Sequence, residues 1–138
     1  MKIALAGTGA FGIKHLDGLA NIDGVTVTSV VSRRLEQAEL VANKYGIGHA
    51  TTDLDEVLAR DDVYAVILCT PTQLHAQQAI AAMRAGKHVQ VEIPVADSWA
   101  DAQEVQRVQQ ETGKVCMVGH TRRFNPSHQW VHHRIVAG

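Results

Sequence analysis

Short apolar runs, each followed by a helical stretch, constrain this chain more than any other feature of it. The runs are KIALA (2–6), VTVTSVV (25–31), VYAVILC (63–69), HVQVE (88–92) and VCMVG (115–119). Runs this rich in apolar and β-branched residues predict strands, most of them buried on both faces. Helical spacing fills the intervals, over 11–20, 34–45, 54–59, 73–85 and 98–112. Gly46, Gly86 and Gly113 stop three of these helices, and Asp97 or Ser98 caps the last of them. Residues 47–50 supply a further short strand, and a final helix runs over 126–136 with Pro126 in its first turn. Strand and helix in strict alternation predict an α/β chain, a doubly wound parallel sheet of Rossmann type with right-handed crossovers.

The first strand ends in GTGAFG: Gly7, Thr8, Gly9, Ala10, Phe11 and Gly12. The G-x-G-x-x-G pattern alone is a weak signal. Here it follows a strand, opens a helix and lies in a βαβ unit, which is the context a dinucleotide fold needs. The first glycine permits the tight turn, the second lets a diphosphate approach the backbone, and the third lets helix and strand pack closely. Unpaired N–H groups at the helix start favour an anion.

The end of the second strand bears on which dinucleotide binds. An acid about 20 residues past the glycines commonly holds the ribose 2′-hydroxyl of NAD. This chain has Ser32, Arg33 and Arg34 there, with no carboxylate before Glu36. A hydroxyl and two guanidiniums suit a 2′-phosphate, so the cofactor is expected to be NADP rather than NAD. The competing reading pairs Arg33 with Glu36 on the helix surface.

Composition narrows the partners. A formal charge of −1 gives no overall case for nucleic acid. No apolar stretch is long enough to cross a membrane. The two cysteines, Cys69 and Cys116, sit in apolar strand-like runs, the pattern of reduced thiols in a cytoplasmic protein. From Thr112 onward the chain has no Asp or Glu, yet carries Lys114, Arg122, Arg123 and Arg134. That segment suits an anionic ligand. His128 and His132 lie one helical turn apart, but no third ligand of matching spacing is visible, so no metal is expected. Trp99 is expected to pack and Trp130 to face a partner surface.

Three further stretches, CTPTQLHA (69–76), VEIPVADS (91–98) and VGHTRRFNP (118–126), stand in order behind later strands. With GTGAFG, the series resembles the glucose–fructose oxidoreductase, inositol dehydrogenase and rhizopine-catabolism family along the whole chain. The resemblance implies a dinucleotide-binding domain over 1–124. It also implies that 125–138 open a bridging helix toward a C-terminal substrate and oligomerisation domain lying outside this chain. Homo-oligomers are expected accordingly.

Position by position, the resemblance places Cys69, Thr70, Pro71 and His75 along the cofactor, His75 on the helix that follows the proline. Glu92 and Pro94 match the outer members of a Glu-Lys-Pro motif whose Glu reaches the nicotinamide ribose. Arg123, Phe124 and Pro126 match the Arg-Phe-x-Pro that opens the bridging helix. The middle lysine of the motif, which helps move the proton in the family, is replaced by Ile93. This lysine-free form is most similar to a branch that oxidises a carboxylated cyclic hemiacetal of lignin-derived aromatic breakdown to a pyrone dicarboxylate with NADP. Glu92 and His120 are then the candidates for acid–base work, and Arg122 and Arg123 for gripping a substrate carboxylate. A sugar or polyol dehydrogenase of the same family, or a non-catalytic nucleotide-binding module, are the other readings.

Overall fold

The computed structural model describes residues 1–138. Six strands form one parallel sheet: β1 (Lys2–Ala6), β2 (Thr26–Val31), β3 (His49–Thr51), β4 (Ala65–Leu68), β5 (His88–Val91) and β6 (Cys116–Val118). Their order across the sheet is β3-β2-β1-β4-β5-β6, so the winding reverses between β1 and β4. In register, β1 pairs Lys2 with Thr26 on one side and Ile3 with Ala65 on the other. The connecting helices are α1 (Ala10–Leu19), α2 (Leu35–Tyr45), α3 (Leu54–Leu58), α4 (Thr72–Arg84) and α5 (Trp99–Thr112).

Alternate residues of each strand feed two cores. Ala4, Ala6, Val66, Leu68, Val89 and Val91 join Ala79, Ala82 and Met83 of α4 and Val105 and Val108 of α5. Small alanines along α4 let that helix lie close to the strands. On the other face Ile3, Leu5, Val30 and Ile67 meet Leu16 of α1 and Val41 and Ala42 of α2. No helix covers this second face over β5 and β6. An open apolar groove of about 780 Å³ runs there, lined by Tyr64, Ile67, Val115 and Met117 among others.

Helix ends follow from local chemistry. Gly46 and Gly113 close α2 and α5 in the left-handed conformation, where a side chain would be strained. Ser98, rather than Asp97, caps α5: its Oγ accepts from the Asp101 N–H at 3.1 Å. Trp99, expected to pack, is 77% exposed on the first turn of α5. An unpredicted 3-10 turn, Thr121–Phe124, follows β6. Then α6 (Pro126–Ala137) starts from Asn125, whose side chain accepts from the Ser127 and His128 N–H groups. Every residue from Thr121 to the end is exposed, including Trp130, Ile135 and Val136. No helix is long and apolar enough to cross a membrane.

Candidate functional site

The carboxyl ends of β1, β4 and β5 meet where the winding reverses, the place where open α/β sheets bind ligands. Three glycines shape the first edge of this site, each differently. Gly7 has φ +102°, and a Cβ on it would lie 2.3 Å from the Cys69 carbonyl oxygen. A Cβ on Gly12 would lie 1.9 Å from the Gly7 carbonyl oxygen, so only glycine lets α1 pass over the turn. A Cβ on Gly9 would meet nothing within 4 Å. Its missing side chain leaves open space in front of the helix start. That start has no side-chain cap and no acid in its first turn, so its N–H groups face the opening unpartnered. Ala10 and Phe11 are exposed beside it.

The end of β2 closes on this turn. The Gly7 N–H donates to the Val31 carbonyl at 2.9 Å. The Thr8 and Ser32 hydroxyls are 2.8 Å apart and hydrogen-bonded. Arg33 and Arg34 follow, both exposed, and neither guanidinium forms an ion pair or hydrogen bond within the chain. The pairing of Arg33 with Glu36 does not occur.

Across the opening lies a cleft of about 720 Å³. Phe11, Cys69, Thr70 and Pro71 line one side, and Glu92, Ile93 and Arg122 another. The Ile93–Pro94 peptide is cis. His75 is 1% exposed, and its ring nitrogens reach the Thr70 and Pro94 carbonyl oxygens at 2.7 Å each. It ties the loop after β4 to the loop after β5, and has no free polar atom left for a ligand.

Glu92 ends β5 in a nearly buried position, 9% exposed. Its partner within the chain is His15 of α1, whose Nε2 lies 2.7 Å from Oε1. Sequence reasoning missed His15. The signal was faint: a polar residue beside the buried Leu16, on a helix that starts at the glycine turn. Cys69 Sγ, His15 and Glu92 offer ligand-type atoms within 4.8 Å of one another. Burial, and next the Glu92 charge, push the Cys69 thiol up to about 12, so it stands protonated at neutral pH. Burial likewise raises the Cys116 thiol.

The sheet separates residues that are neighbours in sequence. Arg122 faces the cleft, whereas His120 and Arg123 line the apolar groove. Arg122 and Arg123 both keep unpaired guanidiniums; their carbonyls are used, Arg122 accepting from the Asn125 N–H at 3.2 Å and Arg123 from the Gln129 side chain at 3.0 Å.

A doubly wound parallel sheet, a glycine turn at its reversal and unpartnered helix N–H groups define a dinucleotide-binding Rossmann domain. Residues 1–120 match the GFO/IDH/MocA family, described as an oxidoreductase family with an NAD-binding Rossmann fold, and the chain belongs to it. It is 73% identical over 138 residues to 4-carboxy-2-hydroxymuconate-6-semialdehyde dehydrogenase of Sphingobium sp. (strain NBRC 103272 / SYK-6), covering 100% of this chain and 44% of that protein. Scyllo-inositol dehydrogenase from Lactobacillus casei, solved with NAD(H) and scyllo-inositol, superposes with TM-score 0.93 at 25% identity, over 100% of this chain and 41% of that one. A 3-ketoreductase from Actinomadura kijaniata, solved with TDP-benzene and NADP, superposes with TM-score 0.91 at 29% identity, over 100% and 44%. The chain thus spans less than half the length of each of these relatives.

Proposed function

We propose that this chain is the cofactor-binding part of an NADP-dependent dehydrogenase acting on a carboxylated cyclic hemiacetal. The substrate would be 4-carboxy-2-hydroxymuconate-6-semialdehyde, and the product 2-pyrone-4,6-dicarboxylate. The observation that carries this reading is the 73% identity to the enzyme of that name, sustained along all 138 residues. In this reading residues 1–124 are the dinucleotide-binding domain. Residues 125–138 begin a bridging helix whose exposed Trp130 and Ile135 pack on a substrate domain that also forms a homo-oligomer interface. Two free cysteines with protonated thiols suit the reducing cytoplasm.

The residues present fit the dinucleotide. The space in front of Gly9 and the bare N-terminus of α1 accept a diphosphate. Ser32, Arg33 and Arg34 offer a hydroxyl and two free forks to a 2′-phosphate. Thr70 and Pro71 line the cleft that Glu92 reaches, and the Glu92 carboxylate accepts from the hydroxyls of the nicotinamide ribose. The bound nicotinamide supplies the hydride acceptor.

The rest of the chemistry falls to the chain and its substrate. Hydride leaves a carbon only when the hydroxyl on that carbon loses its proton, and general-base help is worth typically about 10²–10⁴-fold. Ile93 cannot give that help. A hemiacetal hydroxyl is more acidic than a sugar alcohol, because the ring oxygen withdraws charge, and its product is a stable lactone. Such a substrate tolerates a weaker base. Arg122, unpaired at the cleft, is placed to grip a substrate carboxylate.

Two measurements test this. Titration of the chain with NADPH and NADH should show tighter binding of NADPH; equal affinities would refute the cofactor assignment. The full-length enzyme should show higher kcat/KM for the carboxylated hemiacetal than for neutral sugars and polyols. If neutral polyols win, the substrate assignment is wrong.

A further inference from the structure

We infer that His15 is a positioning residue for Glu92, fixing which carboxylate oxygen meets the cofactor. The inference rests on the proposed reading that Glu92 accepts from the nicotinamide ribose. A carboxylate can only accept, so His15 Nε2 carries the proton of the 2.7 Å contact and donates it to Oε1. Gln90 Nε2 points at the same oxygen from 3.4 Å. The third wall is Gly119, just past β6: a Cβ there would lie 3.0 Å from Oε1 and 2.8 Å from Gln90 Nε2. Oε1 is thus enclosed by α1, β5 and the end of β6. Oε2 has no partner within the chain and is not among its buried unsatisfied atoms, which leaves it to the cleft that Glu92 lines.

The contact also joins two parts of the site that lie 77 residues apart in sequence. Helix α1 begins at the glycine turn and carries His15 near its middle. One rigid element therefore receives the diphosphate at its N-terminus and, through His15, sets the carboxylate meant for the far ribose. The spacing between the two anchor points is held by a helix rather than by loops. The side chains of His15 and Glu92 are 25% and 12% exposed, so loss of the donor leaves a largely desolvated carboxylate with one oxygen stripped of its best partner.

A pair of ligands separates this role from general damage. NADPH reaches Glu92, whereas 2′,5′-adenosine diphosphate carries the 2′-phosphate and one 5′-phosphate but no nicotinamide ribose. His15→Phe should weaken NADPH about tenfold and leave 2′,5′-adenosine diphosphate within about twofold. His15→Gln, which restores an N–H donor, should recover most of the loss. Adding His15→Phe to Glu92→Gln should cost nothing more, because the carboxylate to be positioned is gone. Circular dichroism verifies that each variant is folded. Equal losses for both ligands, or no loss for either, would overturn the role of His15 while leaving the dinucleotide reading intact. Unaltered protein that bound neither ligand would overturn the dinucleotide reading and this inference with it.

Discussion

The two margins of the cleft are built by different means. At the glycine margin, backbone does the shaping: Gly7 at φ +102°, Gly12 under the helix and bare N–H groups at the start of α1. At the opposite margin, beyond β5 and β6, side chains do it: Glu92 held by His15, Ile93 half exposed, Arg122 unpaired on a turn that is exposed throughout. At the backbone-built margin Gly7 and Gly12 leave no room for a side chain, while Gly9 leaves open space. A margin built from side chains can be altered one group at a time, and it is there that the proposed reading puts the choice of substrate.

The contrast is sharpest for two glycines. Gly12→Ala drives a Cβ to within 1.9 Å of a backbone oxygen that cannot move alone, so a loss of at least about 3 kcal/mol in unfolding free energy is expected. Gly9→Ala meets no atom of the chain and should keep the unaltered Tm while losing NADPH binding. A Gly9→Ala protein that bound NADPH normally would show that the diphosphate does not approach there. Smaller is the effect at the end of β2. Arg33→Ala with Arg34→Ala should erase about 1.5–3 kcal/mol of NADPH binding and leave NADH unchanged, narrowing the preference in paired titrations.

Across the cleft the expected effects are smaller again and selective. In the full-length enzyme Arg122→Ala should raise KM for the carboxylated substrate about tenfold, while Arg123→Ala, which lines the neighbouring apolar groove, should not. Steady-state kinetics showing the reverse order would break the division drawn between the two arginines. An effect confined to alkaline pH belongs to Cys69, between the margins. Its thiol rises from 9.0 to about 12 on folding. Between these values the unfolded chain ionises while the folded one keeps its proton, so the stability this group contributes is whole below pH 9 and falls as pH climbs toward 12. Urea melts across that window should fall less steeply for Cys69→Ala than for the unaltered chain.

Much of the backbone-built margin could be read from sequence, since glycine spacing, strand and helix are local signals. The strands and helices lie within about two residues of where periodicity puts them. The segment 121–124 was not legible: Thr-Arg-Arg-Phe has neither a strand nor a helix period, and its 3-10 form depends on the turn out of β6. Trp99 misled because a large aromatic residue suggests packing, whereas its place on the first turn of α5 faces solvent. Near Glu92 in sequence only Gln90 reaches its carboxylate, at 3.4 Å. His15 meets it from a distant helix, a pairing that only the fold discloses. Arg122 and Arg123 are equal candidates for a carboxylate in the sequence, but the turn after β6 sends Arg122 to the cleft and Arg123, with His120, to the apolar groove.

The pairing of β1 with β4 sets a timetable for synthesis. Residues 3–6 must lie against residues 65–68, while β2, the other neighbour of β1, is available much sooner. A chain emerging from the ribosome can therefore lay β1 beside β2 and still lack one flank of its first strand. The turn at Gly7 backs directly onto the Cys69 carbonyl, so it has no floor until about half of the chain has been made. On the proposed reading, the turn can hold a diphosphate only once the central ladder has closed, so nucleotide binding by a nascent chain would report that ladder's completion.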